Sequence, residues 1–196
     1  MSSGKGGRVA LFLWVMLGGC MTTWAFAFDA GASAGQPVAV DAMVRVMFTP
    51  QDDAAGQIIS AVGHARRQVL VQAYSFTHKG IAQALIDAHR RGVEVKLIAD
   101  REQTEKVDYG LIPAIAAAGV PVWLDGEHQS AHNKVMVIDA GTPVSLVVTG
   151  SFNFTRAAQY KNAENVIFLE GSGKLVDDYA INWQSHLRHS KPLLMH

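Results

Sequence analysis

Cysteine is nearly absent: the 196-residue chain holds one, Cys20, so no disulfide framework can brace the fold. It lies in an N-terminal apolar stretch whose removal would leave no thiol at all, and such a protein is indifferent to an oxidising compartment. Surplus charge is missing too. Lysine plus arginine and aspartate plus glutamate each number 17, and taking away Lys5 and Arg8 with the apolar stretch leaves 15 basic against 17 acidic residues. Broad phosphate neutralisation by a basic surface is thereby excluded, so any grip on nucleic acid has to be local.

Internal repeats are absent, as are the clustered carboxylates of a two-metal nuclease and the glutamate of an H-E-x-x-H pair. His128 and His132 are four apart, but Gln129-Ser130-Ala131 lies between them in a region that reads as loop entering a strand. No metal site and no cofactor are expected. His64, His89, His186, His189 and His196 read as structural or surface residues. What the chain does have is 49% hydrophobic residues with 17% charged, enough for one folded domain with a full core.

The N-terminus carries Lys5 and Arg8, an apolar run from Val9 to Leu17 that continues with few breaks to Phe28, and the small-residue site Ala25-Phe26-Ala27. This pattern predicts a signal peptide over residues 1–27 and an exported protein, periplasmic or secreted. Two other readings fit the same residues. Leu17-Gly18-Gly19-Cys20 resembles a lipobox that would acylate Cys20, and the uncleaved stretch is about long enough to anchor in a bilayer. Residues 28–38, rich in glycine, alanine and serine, read as a linker, and 39–196 as the catalytic domain.

Along that domain, Val44–Phe48 suits a strand and Thr49-Pro50 stops it. Asp52 or Asp53 then caps a helix expected to run to about Arg67. Val69–Ala73, Val93–Ala99 and Val120–Leu124 read as strands, separated by helices near Lys79–Arg91 and Leu111–Ala118 that end at Gly92 and Gly119. His132–Ile138 and Val144–Thr149 form a hairpin around Asp139-Ala140-Gly141-Thr142-Pro143. A short helix at Ala157–Lys161, a strand at Asn165–Leu169 and a helix from Lys174 to His189 follow. Strands alternating with helices, plus one hairpin, predict an α/β fold with a mixed sheet between helical layers.

Chemistry concentrates in two segments. His132-Asn133-Lys134 runs on to Asp139 as H-x-K-x-x-x-x-D, and Gly150-Ser151-Phe152-Asn153 follows as G-S-x-N. Residues two apart on a strand share a face, which sets the His132 nucleophile beside the Lys134 cation. Ser151 and Asn153 would likewise project together, offering donors for phosphate oxygens. Asp139, at an odd separation from His132, falls on the other face and is expected to fix the hairpin. The bland alternatives are an edge-strand charge for Lys134 and turn residues for Ser151 and Asn153.

These segments resemble the signature of the phospholipase D superfamily, in particular its small bacterial EDTA-resistant nucleases and the related mitochondrial cardiolipin hydrolase. The likeness runs from Val44 to the last helix and includes Tyr74-Ser75-Phe76-Thr77 and Phe154-Thr155. Ten residues separate Asp139 from Gly150, more than is common in the family, and the surplus falls in the hairpin. The resemblance implies a phospholipase D-like fold with catalytic His132, Lys134, Ser151, Asn153 and Glu164, the glutamate bonding the histidine, and structural Asp139 and Gly150. It also implies a homodimer, because one motif supplies one histidine and in-line displacement uses an attacking group and a proton donor on opposite sides of phosphorus. Tyr74, Phe76 and Phe154 are candidates for stacking on bases, with core packing as the alternative, and Arg101 and Arg156 for phosphate contacts. The expected activity is metal-independent endonuclease action on DNA or RNA. Phospholipid head-group hydrolysis and an inactive nucleic-acid- or membrane-binding protein are the alternatives.

Overall fold

The computed structural model describes residues 37, 39, 41–108, 110–171 and 173–194, so the expectations for the leader, Cys20 and most of the linker lie outside the described residues. Two runs with almost no exposed position, β2 (Gln68–Ala73) and β5 (Lys134–Ile138), sit at the centre of the sheet. Burial on both faces is what such unbroken apolar runs demand. β3 (Glu94–Asp100) and β4 (Val122–Asp125) extend the sheet in parallel from β2, and the two-residue β8 (Lys191–Pro192) closes that side. On the other side β6 (Leu146–Gly150), β7 (Glu164–Glu170) and β1 (Met43–Thr49) follow β5, all antiparallel. The order is β1-β7-β6-β5-β2-β3-β4-β8, a mixed sheet of eight strands among the described residues.

Helices cover both faces, unequally. α1 (Ala54–His64) and α2 (Lys79–Arg90) bury Ile58, Val62, Ile81 and Leu85 on one face, joined there by α4 (Ile112–Ala117) and α5 (Arg156–Tyr160). The opposite face belongs to α6 (Gly173–His189), which packs Val176 and Trp183 onto Leu70, Ile98, Val135, Val137 and Val147. Trp183 is fully buried, and its indole N–H donates to the Val71 carbonyl at 2.9 Å, so a large apolar group is buried without an orphaned donor. Beyond the reach of α6, β1 leaves Val44, Val46 and Phe48 exposed in one row. No helix among the described residues is long and apolar enough to cross a membrane.

Two boundaries differ from the sequence reading. α1 ends at His64 rather than Arg67 because the backbone N–H groups of Arg66, Arg67 and Gln68 donate to the Asp139 carboxylate, at 2.9, 2.7 and 2.9 Å. β5 begins at Lys134, leaving His132 ahead of the strand. The pairings Ala73 with Lys134, Gly150 with Val166 and Thr49 with Glu164 bring the ends of β1, β2 and β6 and the starts of β5 and β7 to one edge of the sheet. The residues of both motifs gather there.

Candidate active site

Lys134 opens β5 with its side chain almost entirely buried, and Nζ turns back to the preceding turn, 2.9 Å from His132 Nδ1 and 2.7 Å from the His132 carbonyl oxygen. The nucleophile candidate and the cation are therefore joined directly, through a lysine reaching backwards rather than through strand alternation. Tyr74 completes the support: its N–H donates to the Asn133 carbonyl at 3.0 Å, its ring lies 4.1 Å from the imidazole, and Lys134 Nζ sits 5.0 Å from the ring centroid. A cation over an aromatic face is stabilised by the ring quadrupole. Burial lowers the Lys134 pKa from its ordinary value, opposed by the charge of Glu164. His132 itself remains exposed.

Gly150 brings the second motif in. Its φ of +147° is one that side-chain-bearing residues rarely adopt, and a Cβ there would stand 2.2 Å from the Asn165 carbonyl oxygen, so β6 and β7 approach this closely only through glycine. Ser151 next donates its N–H to Asn165 O at 3.1 Å and its hydroxyl to Glu164 Oε2 at 2.6 Å, while Glu164 Oε1 accepts from Asn162 Nδ2 at 2.9 Å. Glu164 is thus engaged with Ser151 and Asn162, where the family resemblance implied a bond to the histidine. Asn153 is half-buried, and its Oδ1 is buried with no hydrogen-bond partner among the described residues.

Other expected site residues separate. Phe76 and Phe154 are core, 3% and 2% exposed, with ring centroids 5.6 Å apart, so stacking of bases on them is ruled out. The parallel bridge between them pins the Tyr74 turn to the Asn153 turn. Asp139, buried and in the left-handed region at φ 51°, binds the start of β2 and no group of the site. Arg101 is exposed at the head of the six-residue helix α3 (Arg101–Lys106), its guanidinium lying over Gly126. Arg156, also exposed, lies 5.4 Å from the Tyr160 ring.

Residues outside the two motifs support the site from behind. Asp100, buried at the end of β3, accepts from Gln103 N–H at 2.7 Å as the cap of α3 and from Ala131 N–H at 2.8 Å. His78 caps α2 by accepting from Ile81 N–H at 3.3 Å, its ring stacked 6.5 Å from that of Tyr160. Burial lowers its pKa, with Asp53 opposing and Arg156 adding to the fall. Gln159 ties α5 to α1, its Oε1 accepting from Ala55 N–H and its Nε2 donating to Asp52 O.

A family model described as "Cardiolipin synthase, PLD-like domain" matches residues 58–187, a span that holds both motifs. The chain belongs to the phospholipase D superfamily. A phospholipase D of Rickettsia bellii is 39% identical over 142 residues, covering 72% of this chain and 68% of its own. A mitochondrial cardiolipin hydrolase of Chlamydomonas reinhardtii is 31% identical over 115 residues, or 58% of this chain, which spans about half (48%) of that relative. The crystal structure of Nuc, a phospholipase D family member from Salmonella typhimurium, superposes with a TM-score of 0.72 at 33% identity, covering 79% of this chain and all (100%) of that one. The mixed sheet with helices on both faces is the fold of this superfamily, and the chain is one of its phosphodiesterases.

Proposed function

We propose that the protein is a non-specific endonuclease that cleaves DNA, and RNA by the same route, through a phosphohistidine on His132. The observation that carries the phosphohistidine step is the direct bond between Lys134 Nζ and His132 Nδ1. A charged lysine donates to Nδ1, which places the ring's own proton on Nε2 and makes the free histidine an outward N–H donor. An incoming phosphate competes for the ammonium. Once Lys134 turns to a non-bridging oxygen, Nδ1 is free to take the ring proton, and Nε2 becomes the nucleophile. Asn153 adds a second donor to the phosphate through its Nδ2 amide hydrogens.

Attack forms a P–N bond and breaks the P–O bond to the leaving alkoxide, which needs a proton from the far side. A second copy of the chain supplies it as its own protonated His132, and that histidine then activates the water that releases phosphate. Support for a two-fold dimer comes from the row Val44, Val46 and Phe48, which are 54%, 47% and 58% exposed on the face that α6 leaves bare. Phe48 pairs with Asn165, next to Glu164, so this apolar row ends at the site. Burying it against its own symmetry mate would oppose the two histidines.

Hydrolysis of phospholipid head groups by the same residues is favoured by the relatives named phospholipase D and mitochondrial cardiolipin hydrolase. The export signal expected in residues 1–27, or acylation of Cys20, would put either reaction outside the cytoplasm. The deciding experiment gives wild type and His132→Ala plasmid DNA, single-stranded RNA and cardiolipin vesicles, each in excess EDTA. Cleavage of nucleic acid by wild type alone supports the endonuclease. Turnover confined to vesicles replaces it with the lipid reading, and loss of all activity that only a divalent ion restores overturns the mechanism.

A further inference from the structure

On the far side of the loop that leads to His132, three imidazoles converge on one carboxylate. Asp125, 1% exposed at the end of β4, meets His128 from the following loop and His186 and His189 from the last turn of α6. Its Oδ2 is 3.2 Å from His128 Nδ1, 2.9 Å from His186 Nδ1 and 3.2 Å from His189 Nε2. One carboxylate oxygen has too few lone-pair directions for three ring donors at full strength. The four ligand atoms all lie within 4.8 Å of one another.

The shape of the cluster is the stronger argument. The imidazole centroids form a nearly equilateral triangle, with sides of 5.1, 5.1 and 5.2 Å. In a tetrahedral zinc site with Zn–N near 2.0–2.1 Å, each centroid stands about 3.2 Å from the ion, which puts neighbouring centroids about 5.2 Å apart. Outer support is present as well. The Glu127 N–H donates to Asp125 Oδ1 at 3.1 Å, which orients the carboxylate and turns Oδ2 toward the rings.

We propose that Asp125, His128, His186 and His189 form a closed site for one divalent transition ion, of which three imidazoles and one carboxylate in tetrahedral array select zinc. Four protein ligands fill the coordination sphere, so the ion is structural and stands outside the phosphodiester chemistry. It joins the end of β4, the last turn of α6 and the 126–133 loop. That loop is held at its other end by the Asp100 bond to Ala131, immediately before His132.

The test strips the full-length protein with chelator and titrates it with zinc sulfate, with magnesium as the control ion. The expected result is one zinc per chain, no magnesium, and a melting temperature roughly 5–10 °C higher at a hundredfold excess over Kd. His186→Ala and His189→Ala each weaken zinc binding by at least about 100-fold, since a direct ligand is worth no less than the roughly 10–100-fold of an outer partner. If those variants fail to fold, cobalt substituted into wild type decides, by the intense visible absorption of a tetrahedral ion. Zinc binding unchanged in these variants, a melting temperature indifferent to zinc, or a weak octahedral cobalt spectrum overturns the proposal. Cleavage by stripped protein below its melting temperature is read separately, so failure of the metal site and failure of the endonuclease reading remain distinguishable.

Discussion

The Ala131 N–H reaches the Asp100 carboxylate at 2.8 Å, across 31 residues of sequence and one residue short of His132. The end of β3 thus sets where the histidine leaves its loop, while the other carboxylate oxygen caps α3. Asp100→Ala removes both bonds and leaves a buried N–H without a partner, a loss of about 2–4 kcal/mol in urea unfolding. Steady-state kinetics is expected to show kcat falling with KM nearly unchanged, because the histidine is displaced while the phosphate donors stay.

Lys134→Met separates chemistry from stability. A buried cation is costly to the fold, and burial already lowers the Lys134 pKa, so a methionine of similar volume is expected to leave the melting temperature unchanged or higher. Activity is expected to drop by about 10²–10³, the usual effect of removing one charge-stabilising donor. A proportionate loss of stability would show that the lysine serves the fold.

Phe48→Arg tests the second copy. The side chain is 58% exposed in the monomer, so the folded chain tolerates the change, whereas two arginines across a two-fold axis repel. Sedimentation is expected to give a monomer with native circular dichroism and specific activity reduced at least about tenfold, restored in part at high protein concentration. A variant that stays dimeric and fully active places the interface elsewhere.

His78 gives the fold a pH dependence of known sign. Its folded pKa lies below the ordinary value of 6.5, so between the two the unfolded chain binds more protons and stability rises with pH. The contribution is complete above about pH 6.5 and fades as pH falls toward the depressed folded value, where protonation of Nδ1 removes the acceptor for Ile81 N–H. Asn in its place still caps the helix but does not titrate. The melting temperature of His78→Asn is expected to fall less than that of wild type between pH 7.5 and pH 5.

Much of this arrangement is legible in the residues. Apolar runs and helical spacing locate the central strands and α2, and the glycines at 92 and 119 end their helices with φ of +89° and +95°. The polar segment Arg101–Lys106 forms a helix with no buried residue, held by the Asp100 cap rather than by apolar periodicity, and so escapes pattern reading. His128, His186 and His189 look unrelated because 61 residues separate His186 from Asp125, and it takes the packing of Trp183 on Trp123 and the pairing of β8 with β4 to bring the end of α6 back to that strand. Phe76 and Phe154 share a composition with base-stacking aromatics, and what assigns them to the core is a bridge between distant turns.

β5 carries the histidine turn at its start and, at its end, the aspartate that holds the first residues of β2. Five strand residues span about 17 Å, so the letters of the motif measure a length of sheet as well as naming chemistry. A one-residue insertion between Lys134 and Asp139 would throw both ends out of step. The hairpin from Ala140 to Ser145 lies outside that span, so a change in its length leaves the distance between the two ends of the motif untouched.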